Sequence, residues 1–269
     1  MVRQATGASY PAVSDAIVKG SKIPLPPLAE QKRIAAILDK AEAIRRKREQ
    51  AIKLADEFLR SLFLDMFGDP VSNPKGWPQK PLRDCVEMAN GSTPPKEVAK
   101  YWNGSVPWVS PKDMKFREIT GSIDHVSELA VSDQTVRLVP SGTVLIVIRG
   151  MILAHTVPIA ITSVECTINQ DMKALRPNAE LDAVFLEAAL RTMHNSLLAK
   201  VSTSTHGTKK LDSERLRQIF LPIPPRVSQE KFRDMTRIMN KTHSLAHGCR
   251  EAASSLRDSL VNAAFRYEL

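Results

Sequence analysis

The sequence predicts an α+β chain: a mixed α/β globule flanked by two long helices that form an antiparallel coiled-coil rod. Three observations carry this. A proline-rich prelude occurs twice at an offset of 198 residues. Each copy opens a long helical pattern with no internal proline. Between the copies, glycines, prolines and short β-rich runs dominate.

The first prelude, Ile23-Pro24-Leu25-Pro26-Pro27, recurs as Leu221-Pro222-Ile223-Pro224-Pro225, and Gln31 maps onto Gln229. After it, Ile34, Ile37, Ala41, Ile44, Arg48, Ala51, Ala55, Phe58 and Leu62 alternate steps of three and four. The same register in the second copy falls on Phe232, Met235, Met239, Thr242, Ala246, Cys249, Ala253, Leu256 and Leu260. Only Arg48 and Thr242 interrupt the apolar series, which is the pattern of a coiled-coil seam. Two helices of an ordinary bundle fit the same spacing, and pairing within one chain and between two chains are both open. Each helix spans roughly 40 residues, or about 60 Å at 1.5 Å per residue.

Four segments follow: 1–27, which resembles the closing stretch of a globule; a helix at 28–68; a globule at 69–225; and a second helix at 226–269. Within the globule, Val144–Ile148 reads as a buried strand and Val157–Val164 as another. Leu181–Val201 reads as one helix.

Composition narrows the function. The chain has 269 residues, a net charge of +9 and a pI near 9.6, which favours a polyanionic partner. The charge is spread along the chain, so binding through a disordered basic arm is not expected. Cys85, Cys166 and Cys249 are scattered and read as free thiols of a reducing cytoplasm. No signal-peptide core or apolar run of membrane length is present, so a cytoplasmic protein without a membrane partner is expected. There is no GxGxxG, no GxxxxGK[ST] and no Asn-Pro-Pro-aromatic motif. His243 and His247 are four apart, near Cys249, but Cys249 belongs to the seam and no further ligand is evident. Neither a metal nor a cofactor is expected.

The stretch Ile23-Pro24-Leu25-Pro26-Pro27-Leu28-Ala29-Glu30-Gln31-Lys32-Arg33-Ile34 resembles the spacer opening of the specificity subunits of type I restriction–modification systems. Asn90-Gly91-Ser92-Thr93-Pro94, Tyr101–Gly104 and Val106–Val109 look like the opening of a target-recognition domain of that family. Arg149-Gly150 and Ile168-Asn169-Gln170-Asp171 look like its middle, and Gly207–Leu211 like its end. The resemblance implies a non-catalytic subunit that recognises double-stranded DNA. It would direct methylation and restriction subunits, together an adenine methyltransferase and ATP-dependent endonuclease, to a bipartite target. The family usually carries two recognition domains, whereas this chain holds one complete domain and the tail of another. A homodimer would restore two. The competing expectation is an assembly remnant that binds methylation subunits without specific DNA binding.

Three patches have residues suited to phosphate or base contact. Lys96, Lys100, Tyr101 and Asn103 are expected in a loop. Lys112 and Lys115 follow Trp108. Ser204, Thr205, His206, Thr208, Lys209 and Lys210 are expected in a basic loop after a helix. Trp102 and Trp108 are expected in the core. Arg149 and Gln170 follow buried strands, where structural hydrogen bonding is as good a reading as DNA contact. The run Arg45–Arg48 is flanked by Glu42 and Glu49, so pairing along the helix competes with a DNA-facing role.

Overall fold

The computed structural model describes residues 13–20, 25–204 and 207–239. The chain divides into two compact units, one containing residues 1–53 and the other residues 54–241.

In the first unit, α1 (Asp15–Gly20) is followed by the opening of α2 (Leu28–Phe67), a helix of 40 residues. The prelude starts α2. Pro27 O accepts from the amides of Glu30 and Gln31, and the Gln31 side chain donates back to Pro26 O at 2.7 Å. Two prolines with fixed φ and no N–H thus lead into a helix whose orphan groups are met locally. Two residues of the basic run pair with the flanking acids: Arg45 bonds Glu42 at 2.7 Å and Glu49 at 2.6 Å, and Arg46 bonds Glu42 at 3.0 Å. These guanidinium groups hold the Glu42 carboxyl down at about 2. The Arg48 side chain lies outside the described set.

In the second unit, α2 ends at Gly68, whose φ of +77° suits glycine. Its last carbonyls are capped by side chains: Lys75 Nζ donates to Asp65 O and Met66 O, and Trp77 Nε1 to Phe67 O. A central five-stranded sheet has the order β2 (Val86–Asn90), β9 (Met172–Pro177), β6 (Val144–Val147), β7 (Ile159–Thr162), β4 (Glu118–Ile119). Only the β4–β7 pair is parallel. All four residues of β6 are buried, as its unbroken apolar run requires of a strand covered on both faces. A smaller sheet pairs β3 (Trp102–Val109) with β5 (Asp124–Val126) and β8 (Thr167–Ile168). The globule closes on itself where β1 (Gln79–Pro81) pairs with β12 (Phe220–Pro222).

Closure brings the end of α2 to the start of the helix at 226–239. Phe63 and Phe67 of α2, Phe185 of α5 (Ala183–Thr192) and Phe232 are fully buried, with ring centroids 4.9–5.7 Å apart. Beside this knot, Glu187, 2% exposed, is held by Arg117 through two hydrogen bonds of 3.0 and 2.5 Å and by Arg191 at 3.4 Å.

Several expectations need correction. Burial along the expected seam is uneven, with Phe232 fully buried. Ile34, Ile37, Ala41 and Leu62 are half-buried, but Ile44, Phe58 and Met235 are 47%, 52% and 38% exposed. The inward stripes are Leu59–Phe63–Phe67 in α2 and Gln229–Phe232–Thr236 in the following helix, with Met239 half-buried. The globule, not a second helix alone, sets which face turns inward. Leu256 and Leu260 lie outside the described residues, as do His243, His247 and Cys249. The expected helix at Leu181–Val201 breaks at Met193 into α5 and α6 (His194–Leu198), and Val201 begins a strand. That strand, β10 (Val201–Thr203), pairs with β11 (Lys209–Leu211), so the expected basic loop is a hairpin. β-branched Val201 and Thr203 favour the extended state once a partner is available.

Candidate nucleic-acid interface

Four separate motifs meet at one end of the central sheet. The turn after β2 starts with Asn90, whose Oδ1 accepts from the buried Lys173 ammonium. Gly91 follows where a Cβ would overlap the carbonyl oxygens of Ile168 and Asn169. Its amide donates to Met172 O, and Ser92 N donates to Ile168 O at 2.9 Å. Trp108 Nε1 donates to Ser92 O at 3.0 Å, so this tryptophan is a core strut, as expected, packed edge-on against the half-buried Trp102.

The turn between β8 and β9 is equally determined. Asn169 is buried, and its Oδ1 accepts from Asp171 N at 3.1 Å. Gln170 stands exposed between them, its side-chain oxygen accepting from the Thr93 hydroxyl. Asp171 O accepts from the amides of Ile148 at 2.8 Å and Arg149 at 3.2 Å, which places the end of β6 beside this turn. Gly150 has φ +131° and ψ 160°, a conformation open essentially to glycine alone. Its amide donates to Lys209 O at 3.0 Å, and Leu211 N donates to Ile148 O at 2.8 Å, which ties in the hairpin. Arg149 is exposed, and Met151 beyond it is 63% exposed.

The electrostatics at this end are basic. Burial, followed by the charge of Arg217, pushes the Lys173 ammonium below the usual lysine value; Lys210 acts in the same sense and Asp212 opposes. Lys209 Nζ donates to Thr203 Oγ1 at 2.8 Å, and Lys210 Nζ lies 3.6 Å from Asp212.

Of the expected DNA-contacting residues, Ser204, Thr208, Lys209 and Lys210 lie on this hairpin, while Thr205 and His206 lie outside the described residues. The other two patches are elsewhere, on or beside the three-stranded sheet. Lys96 and Lys100 are exposed. Tyr101 is half-buried, and its hydroxyl donates to Asp133 at 2.9 Å, a bond that raises its pKa. Asn103 is exposed at φ +58° within β3, so the expected loop here is a 3-10 turn running into a strand. Lys115 is exposed, but Lys112 is already paired with Asp124 at 2.6 Å. For Arg149 and Gln170 the sequence left structural bonding and DNA contact both open. Their position just past buried strands was the available signal, and it read equally well as structural.

Among the described residues there is no group of three or more His, Cys, Asp or Glu able to hold a metal, and no helix long and apolar enough to cross a membrane. Cys85 and Cys166 are buried and free, and burial raises both thiol pKa values.

A family model described as type I restriction modification DNA specificity domain matches residues 1–54 and 74–245. The chain is 28% identical over 241 residues to the EcoR124I/EcoR124II specificity subunit of Escherichia coli, covering 86% of this chain and 57% of that protein. It is 29% identical over 162 residues to the MjaIX specificity subunit of Methanocaldococcus jannaschii, covering 59% and 37%. The chain therefore spans little more than half the length of these relatives at most. Among solved structures, the HsdS subunit of Thermoanaerobacter tengcongensis superposes with a TM-score of 0.51 at 23% identity, over 99% of this chain and 67% of that one. The S subunit of M. genitalium gives 0.61 at 16%, over 98% and 68%. At these identities the likeness is one of fold.

Proposed function

From the premise that the chain belongs to the family of type I restriction–modification DNA specificity domains, we propose that it is the DNA-recognition subunit of such a complex and performs no chemistry itself. The observation that supports this best is the meeting of four motifs, distant in sequence, at one basic end of the sheet: Asn90–Thr93, Arg149-Gly150, Ile168–Asp171 and Gly207–Leu211. Backbone amides, hydroxyls and lysines there suit phosphate, and exposed polar side chains suit base edges.

In this reading the globule at 69–225 reads one half of a bipartite double-stranded target. The helices at 28–68 and 226–269 form an antiparallel rod that sets the distance to the second half-site and docks the methylation subunits. The restriction subunit joins through the complex. Two copies of the chain supply two globules, and their symmetry matches a two-part palindromic site.

The test is duplex binding by the chain with its cognate methylation subunit. The expected result is a preferred sequence bound about 10³-fold or more above random duplex. Equal binding to all duplexes, with the methylation subunit retained, would instead establish the assembly role. Light scattering checks the symmetric arrangement: twice the chain mass is expected, and a monomer with its partner bound rejects the homodimer.

A further inference from the structure

We propose that Arg149 and Gln170 determine which bases this globule accepts, while Lys209 and Lys210 hold the phosphate backbone. The inference rests on the recognition reading above.

Two requirements separate a base-reading side chain from a backbone-holding one. It must project beyond the fold, and its Cα must be fixed, because bidentate contact with a base edge tolerates little positional error. Arg149 and Gln170 meet both. Each is exposed, and each directly follows a buried segment: β6 with Ile148 before Arg149, and Ile168-Asn169 before Gln170. The Arg149 amide is bonded to Asp171 O, and the chain turns sharply at Gly150. Gln170 sits between the buried Asn169 and Asp171, whose amide bonds the Asn169 side chain, and its own carbonyl oxygen is held by Thr93. Because Arg149 bonds the residue that directly follows Gln170, the two positions are neighbours, and one groove face can meet both.

Their chemistries are complementary. A guanidinium matches guanine O6 and N7, and a primary amide matches adenine N6 and N7. The Thr93 bond occupies one lone pair of the Gln170 oxygen, leaving the second lone pair and both amide hydrogens for a base. Lys209 and Lys210, by contrast, are half-buried and tied to Thr203 and Asp212. They are point charges on a hairpin and suit phosphate without base selectivity.

The experiment is selection of bound duplexes from a randomised library by the full chain with its methylation subunit. Wild type, R149A, R149K, Q170A and the double variant K209A/K210A are compared, with thermal melting to confirm folding. R149A and Q170A are expected each to lose about 10-fold to 100-fold discrimination at one base pair, with the salt slope of non-specific binding changed by no more than about one. R149K, lacking the planar fork, is expected to relax the same position. K209A/K210A is expected to keep the selected sequence and to lower the salt slope. A wild type that selects no sequence overturns the recognition reading and this assignment together. A wild type that selects a sequence equally selected by R149A and Q170A overturns this assignment alone.

Discussion

The two copies of the prelude perform the same local act in different surroundings. Gln31 donates to Pro26 O at 2.7 Å, and Gln229 donates to Pro224 O at 2.8 Å, each reaching back five residues across a double proline. Gln31 is half-exposed, whereas Gln229 is fully buried. Gln229 also accepts from Asp182 N at 2.8 Å and donates to Glu180 O at 3.0 Å, so it latches the N-terminus of α5. Arg226 and Arg233 reinforce the latch by reaching the Asp182 carboxylate at 3.4 and 3.0 Å. The repeat thus encodes a helix start. Whether that start also fastens a globule depends on the residues facing it.

The comparison predicts unequal costs for equal substitutions. The largest difference is expected between Phe232→Ala and Ile34→Ala, which occupy the same repeat position. Removing Phe232 empties the aromatic knot and should cost about 3–5 kcal/mol. Ile34 is half-buried, and its truncation should cost about 1 kcal/mol. Urea unfolding measures both, and equal midpoints would break the comparison.

Next in size is Gln229→Leu against Gln31→Leu. The first leaves the Asp182 amide and the Glu180 and Pro224 carbonyls without their partner, at about 1–3 kcal/mol for each buried group left unsatisfied. The second removes one half-exposed bond and should shift the midpoint by less than about 1 kcal/mol. If Gln31→Leu proves as costly, the first prelude is fastened as the second is.

The smallest effect concerns the exposed ion pairs of α2. The Glu42 carboxyl is held below its usual value of 4.5, at about 2. Its stabilising contribution is therefore present above pH 4.5 and disappears as pH falls through about 2. Glu42→Gln should leave the urea midpoint at pH 7 nearly unchanged, since solvent screens these charges. It should also flatten the loss of helical circular dichroism between those two pH values. A large shift at pH 7 would show that the network does more than decorate a solvated face.

Much of the fold was readable from local pattern, and the failures share one cause. Strand β6 followed from an apolar run with glycine at both ends, the core of β7 from its apolar run, and the start of α2 from its prolines. Near its end α2 buries Leu59, Phe63 and Phe67 against the globule, a face beside the expected seam at Phe58 and Leu62, because three–four spacing names a stripe without naming what covers it. Val201 was assigned to the end of a helix and Ser202 and Thr203 to a loop, because their strand partners lie at Lys209–Leu211. The candidate site shows the same limit. Lys112 has a carboxylate partner in Asp124, as Lys210 has in Asp212, and neither pair was visible in the sequence. Arg149 and Gln170 had two open readings in the sequence, and only the fold shows which motifs surround them. Charge and periodicity are local properties, whereas availability is a property of neighbours that only the fold assembles.

The pairing of β1 with β12 has one more consequence. Gln79 lies opposite Pro222, and Ile223 N bonds Pro78 O at 2.7 Å, so the globule enters and leaves through a single doorway two strands wide. A segment whose ends meet can be exchanged as a cassette, because its replacement need reproduce only the doorway. Recombination near residues 78 and 223 would transplant the whole sheet, its turns and its exposed side chains while the prelude at Pro224-Pro225 stays in place. The contacts the cassette must still match include the Asp182–Gln229 latch, the Arg117–Asp56 pair and the phenylalanine knot. A chain organised this way can acquire a new set of exposed turns in one genetic step.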